Sequence, residues 1–128
     1  MVELTSFVEQ LHTVYAGIAQ KIQELVVLLN EGGSNTDTQA LAAKIENFLS
    51  VLARSIQTEK AMTKLVSSKQ QKTRLLTSIQ AELNVIKELQ LYVKLSQKKK
   101  TPEIIKKINA LYQEVEKEIK SQEAILKA

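Results

Sequence analysis

Few residues of this chain have the type and spacing that chemistry requires. His12 is the only histidine, and no pair of carboxylates stands near it in the sequence. A single imidazole supplies neither a metal-ligand set nor a nucleophile–base arrangement. Glu114, Glu116 and Glu118 alternate along a helical stretch. On a helix that spacing spreads side chains around the cylinder instead of converging them, so we expect a solvated face paired with Lys117 and Lys120. The stretch GGSN at 32–35 lacks the lysine that should follow a phosphate-binding loop and the strand that should precede it. There is no cysteine, which removes disulfides and thiolate metal sites. We therefore expect no catalytic, cofactor-binding or metal-ligating residue, no enzymatic activity and no small-molecule substrate.

A lone helical histidine near a glycine, as in LHTVYAG at 11–17, is similar to the arrangement in histidine phosphotransfer domains, which are also four-helix bundles. Those domains carry a basic residue shortly after the histidine, and this stretch has none. His12 is expected to be a partly buried structural residue. Tyr15, Tyr92 and Tyr112 fall at or near apolar seams and read as core-edge residues.

The charge distribution offers the one surface feature that could mark a partner. The net charge is +4, but residues 54–74 and residues 94–107 each carry +5, and the remainder sums to −6. Lys98, Lys99 and Lys100 end a helical stretch, where cations meet the helix dipole favourably. With Lys106 and Lys107 they are also candidate contacts for an anion: nucleic acid, an anionic membrane surface or an acidic tail. No aromatic residue is interleaved with these lysines and arginine is scarce, so base stacking and bidentate phosphate recognition lack support.

The elements that must position these residues are helical. Hydrophobic residues make up 44% of the 128, with only 4% aromatic and no Trp, so the core must come from Leu, Ile and Val. Residues 3–30 carry an unbroken four-three pattern of Leu4, Val8, Leu11, Tyr15, Ile18, Ile22, Leu25 and Leu29. Phe7, Val14 and Leu28 add a column beside that seam, wide enough to contact more than one neighbouring helix. Gly32 suits a left-handed helix end. Thr36 and Gln39 fit a capping box opening the next helix. From there Leu41, Ile45, Phe48 and Leu52 continue the pattern, which thins through Ser55 and Glu59 and resumes at Met62, Leu65 and Val66. A further run spans Leu75, Leu76, Ile79, Leu83, Ile86, Leu89 and Val93. The last helix, 102–127, opens with Thr101 as cap and Pro102 at the first helical position. Its stripe is Ile105, Ile108, Tyr112, Val115, Ile119, Gln122 and Leu126, flanked by Ile104 and Leu111.

Residues 67–74, SSKQQKTR, leave one question open. A turn here gives helices of similar length over 37–66 and 74–98, and an up-down-up-down four-helix bundle. Continued helix gives a rod over 37–98, about 90 Å long, whose apolar faces need partners. No Gly, Pro, Asn or Asp interrupts the stretch, and Lys, Gln and Arg favour helix. On that local chemistry the continuous helix is expected, with the bundle as the alternative.

The expected fold class is all-α, one helical domain over 1–128, with antiparallel, coiled-coil-like packing. The expected function is a non-enzymatic structural or adaptor subunit, a scaffold that assembles as a homo- or hetero-oligomer with helical proteins through its apolar seams. Its anchors would be Leu4, Val8, Leu11, Ile18, Ile22 and Leu25. The general look is that of small helical subunits of tethering, kinetochore or transport assemblies, although no motif ties the chain to one of them. The alternative is a basic module docking on nucleic acid or an anionic membrane through the islands at 54–74 and 94–107. The N-terminus MVELTSF lacks the positive region of a signal peptide. Together with the absence of Cys, this gives a cytoplasmic or otherwise intracellular expectation, the nucleus included.

Overall fold

The structure is a computed structural model that describes residues 2–32 and 35–127. Four helices account for almost all of it: α1 (Val2–Glu31), α2 (Asn35–Met62), α3 (Lys69–Ser96) and α4 (Pro102–Lys127). Each packs against the next in the chain and α4 closes back on α1, with the most extensive contact between α3 and α4. The chain is an all-α, antiparallel four-helix bundle, and no strand occurs among the described residues.

The seams follow from the four-three spacing, which keeps one stripe of each helix on the bundle axis. On α1 all eight predicted seam residues from Leu4 to Leu29 are buried. On α2 the buried set is Thr38, Ala42, Ile45, Leu49, Leu52, Ile56 and Glu59, and Thr63 extends it into the turn that follows. Phe48, expected inside, lies on the surface, because Ala42 and Leu49 rather than Leu41 and Phe48 point to the axis. On α3 and α4 the expected stripes are inside, with Leu76 and Leu126 at the edge.

Helix ends match their local chemistry. Gly32 has φ +68°, the left-handed conformation open to glycine at little cost. Thr101 Oγ1 accepts from the Ile104 amide at 3.3 Å, and Pro102 is the first helical residue. Thr36 lies one residue inside α2 instead of capping it, since the helix already begins at Asn35.

The continuous helix expected over 37–98 does not form. After Met62 the chain tightens into a 3-10 turn at Thr63–Leu65, and Val66 turns extended at φ −78°, ψ 120°. Ser68, also extended, accepts the Gln71 amide on its hydroxyl at 3.3 Å and so caps α3. The Thr63 hydroxyl donates to the Lys60 carbonyl at 2.6 Å, and the Val66 amide donates to the Thr63 carbonyl at 3.1 Å. These bonds satisfy groups that a helix end leaves without partners. α3 therefore starts at Lys69, inside the polar stretch and five residues before the expected 74. Burial supplies the driving force: with the bend, Leu49, Leu52 and Ile56 meet Leu75, Ile79 and Ile86 in one core.

Candidate functional site

Three places could serve a function, two of them built from seam or near-seam residues. The first is a polar layer inside the bundle. Glu59 on α2 and Glu82 on α3 both fall on the four-three count, Glu59 between Ile56 and Thr63 and Glu82 between Ile79 and Ile86. Both are 0% exposed, as is Gln122 on α4. Gln122 Nε2 donates to Glu82 Oε1 at 2.8 Å and to Ser78 Oγ at 3.2 Å, and Ser78 Oγ donates to Glu118 Oε1 at 2.9 Å. Neither oxygen of Glu59 has a hydrogen-bond partner, nor has Glu82 Oε2 or Gln122 Oε1. Burial, reinforced by the neighbouring Glu82, pushes Glu59 up from 4.5 to about 8. Glu82 is pushed up from 4.5 to about 7, again mainly by burial, with the Gln122 hydrogen bond lowering it and Glu118 raising it. Such carboxyls hold protons near neutral pH.

Tyr15 on α1 lies close by and donates its hydroxyl to the Tyr112 carbonyl on α4. Burial, with Glu116, Glu82 and Tyr112 adding to it, holds the phenol neutral. Tyr112 in turn lies 3.4 Å from Gln23 Nε2, which donates to its hydroxyl. Tyr15 is thus deeper than the core edge, at 1% exposed, while Tyr92 is half-buried as expected. His12 is partly buried, as expected, but it does have carboxylates beside it: Nδ1 pairs with Glu123 and Nε2 lies 3.9 Å from Glu116, both on α4. The sequence separation of more than a hundred residues hid them. Glu116 also meets Lys120 at 3.5 Å, Glu118 accepts from the buried Ser78 and Glu114 faces solvent. The three alternating acids fan out as expected but do not make the expected solvated face, since Glu116 and Glu118 turn toward α1 and α3. Among the described residues no group of three or more His, Cys, Asp and Glu is arranged to hold a metal ion.

The second place is the outer groove between α1 and α2. The six residues expected as partner anchors, Leu4, Val8, Leu11, Ile18, Ile22 and Leu25, are all 0–5% exposed and belong to the bundle's own core. The apolar residues left outside are elsewhere. Val14, Phe48 and Val51 are 52%, 37% and 49% exposed. They line a groove of about 480 Å³ with Gly17, Ile18, Lys21 and Asn47. A second groove lies farther along α1, lined by Glu24, Val27 and Leu28 with Leu41 of α2. A Cβ at Gly17 would meet nothing within 4 Å, so this glycine opens the groove floor rather than permitting close helix packing.

The third place is the pair of basic islands. The turn between α2 and α3 puts the 54–74 island at one end of the bundle and the 94–107 island at the other. The facing edges of the islands, Arg74 and Lys94 on α3, are roughly 30 Å apart, at about 1.5 Å per residue. Lys98, Lys99 and Lys106 are exposed and Lys100 is half-buried. Lys107 lies 3.6 Å from Glu88 and 6.0 Å from the Tyr92 ring centre. The five lysines are gathered at one end, but the two islands do not join into one surface.

No protein-family model matches this chain, and no curated protein or solved structure matches it. No described helix is long and apolar enough to cross a membrane. The class defined by fold and site is a four-helix bundle with a polar layer in its core and an apolar groove on its outer face.

Proposed function

We propose that this chain is a non-enzymatic structural or adaptor module that receives an amphipathic helix of another protein in the outer groove between α1 and α2. The observation that carries this reading is the exposure of Val14, Phe48 and Val51 around one concave surface, in a chain that otherwise buries its seams. Val14, Lys21 and Leu28 recur every seven residues on α1, and Leu41 and Phe48 do so on α2. The track from Val14 to Leu28 is roughly 21 Å long, the length of about four helical turns, which fits a helix better than a small molecule. Lys21 lines the groove 3.9 Å from Glu24, and Lys44, exposed on α2 one turn from Phe48 and two turns from Val51, leaves the groove edge with a net positive charge. A partner helix would therefore present apolar anchors at i, i+3, i+4 and i+7 with acidic residues beside them.

The test uses two synthetic helical peptides of four turns with the same leucine spacing, one bearing glutamates and the other lysines beside it. Two-dimensional NMR of the labelled chain should show shifts centred on Val14, Gly17, Phe48 and Val51 with the acidic peptide. The lysine peptide should bind at least ten-fold more weakly, and Val51→Asp should abolish binding without lowering the melting temperature. Shifts centred on Lys98–Lys100 and lost in added salt would favour the anion-docking alternative and sink this reading. Concentration-dependent self-association removed by Val51→Asp would make a second copy the occupant.

A further inference from the structure

We propose that Glu59 and Glu82, the latter hydrogen-bonded by Gln122, form a proton-controlled latch: with the carboxyls protonated the end of α2 is held on α3, and their ionisation releases the segment from Glu59 to Val66.

The placement of the layer supports this. Immediately above it the α2 seam is apolar, through Leu49, Leu52 and Ile56. Below it α2 runs only one more turn before the helix tightens at Thr63–Leu65 and the chain becomes extended at Val66. The segment is thus anchored by few contacts: Thr63 and Val66 inside, Met62 at the edge, and Leu65 already 54% exposed. A segment of low local stability at an element's end is where a bundle opens first. Burying an ion without a partner is among the costliest arrangements in a core, so relief comes by moving one of the two carboxylates to water.

The surroundings offer no compensating charge. Toward the layer α1 presents Tyr15, a neutral phenol, and α4 presents Glu116 and Glu118, which are acids like those they face. His12 on α1 is turned to Glu116 and Glu123. Lys60, next to Glu59 on α2, is exposed and lies 3.5 Å from Gln80 Oε1 on α3. Neither Glu59 nor Glu82 has an ion-pair partner among the described residues. Gln122 accommodates a protonated layer: its amide already donates to Glu82 Oε1, and its Oε1 is left to accept a hydrogen bond from the O–H of a neutral carboxyl.

The sign follows from burial. Both carboxyls bind their protons more tightly when closed than in water, where each titrates near 4.5. Their contribution to closure is fully present below that value, declines as pH rises from about 4.5 through 7 and 8, and is gone above. The latch is shut in mild acid and open in mild base.

Amide hydrogen exchange on the full chain between pH 5 and pH 9, corrected for the intrinsic pH dependence, tests this. Peptides covering 59–66 should lose at least ten-fold in protection over that range, while peptides covering 42–52 change far less. The double variant Glu59→Gln, Glu82→Gln should hold its protection constant with pH. The single variant Glu82→Gln gives a second reading if the double variant folds poorly, and should retain only part of the slope. Carbon-13 NMR of the glutamate carboxyls in the unsubstituted chain supplies a check free of variants: two should titrate near or above pH 7. Protection of 59–66 that is flat with pH, a loss shared equally by the whole chain, or an unchanged slope in the double variant would each overturn the latch.

Discussion

Glu59 occupies a position that Leu or Ile fills one turn earlier in the same seam. Its carboxyl reaches neither water nor a hydrogen-bond donor. Replacing a buried, unpaired acid by an apolar side chain of similar size removes the desolvation cost and adds packing. Glu59→Leu is therefore expected to stabilise the chain by about 2–4 kcal/mol at pH 8.5 and by much less at pH 5, where the acid is already neutral. Urea unfolding at the two pH values measures the difference, and equal gains at both would show that ionisation is not the cause. Tyr15 provides the opposite case, a buried polar atom with a partner. Tyr15→Phe removes the donor to the Tyr112 carbonyl and should cost about 1–2 kcal/mol. The acid layer was half legible in the sequence. Counting four and three from Ile56 lands on Glu59 and then Thr63, and from Ile79 it lands on Glu82 and then Ile86. Hydropathy hides both, because it assigns any glutamate to the surface. The carboxylates beside His12 were not legible, since α4 is brought to α1 only by the closed bundle.

The helix boundaries divide by how local their causes are. Gly32 and Thr101 act through their own backbone or hydroxyl, and each did what its residue type suggests. The break at 63–68 has no residue that forbids helix. Ser67 and Ser68 read equally well as helix surface or as cap, and the packing of α2 on α3 decides between them. The extended conformation of Ser68, at φ −75° and ψ 116°, is the one that a residue before proline adopts. Lys69 is the first residue of α3, where an amide without a partner is the rule. Lys69→Pro is accordingly expected to be neutral or stabilising by up to about 1 kcal/mol. In a continuous helix the same change would cost about 3 kcal/mol or more. Thermal unfolding followed by circular dichroism distinguishes the two outcomes. Gln71 is a poorer place for proline, because its amide caps on Ser68 and its side chain donates to the Ile125 carbonyl at 2.7 Å.

At the scale of the whole molecule, the bend at 63–68 determines where a partner surface can be. A rod over 37–98 would have left the seams of α1 and α4 half covered, and Leu4 to Leu25 would have been a natural interface. Folding back inside one chain spends those seams on the core and leaves Val14, Val27, Phe48 and Val51 on the outside of α1 and α2, with Leu65 and Leu91 exposed apart from them. The reading of all-α class and antiparallel packing needed only the heptads; the location of the exposed face needed the topology, because Phe48 and Leu49 look alike until the axis is known. The same bend sends the two basic islands to opposite ends, so no single anion of ordinary size can engage both. These consequences share one observable. A closed bundle of 128 residues should have a radius of gyration of roughly 14–16 Å. A chain built on a 62-residue rod would exceed about 25 Å, since that helix alone spans roughly 90 Å. Small-angle scattering with light scattering at low concentration measures both size and mass. A compact monomer is the expected result, and an elongated dimer would return the Leu4–Leu25 seam to the status of an interface and remove the case for the outer groove.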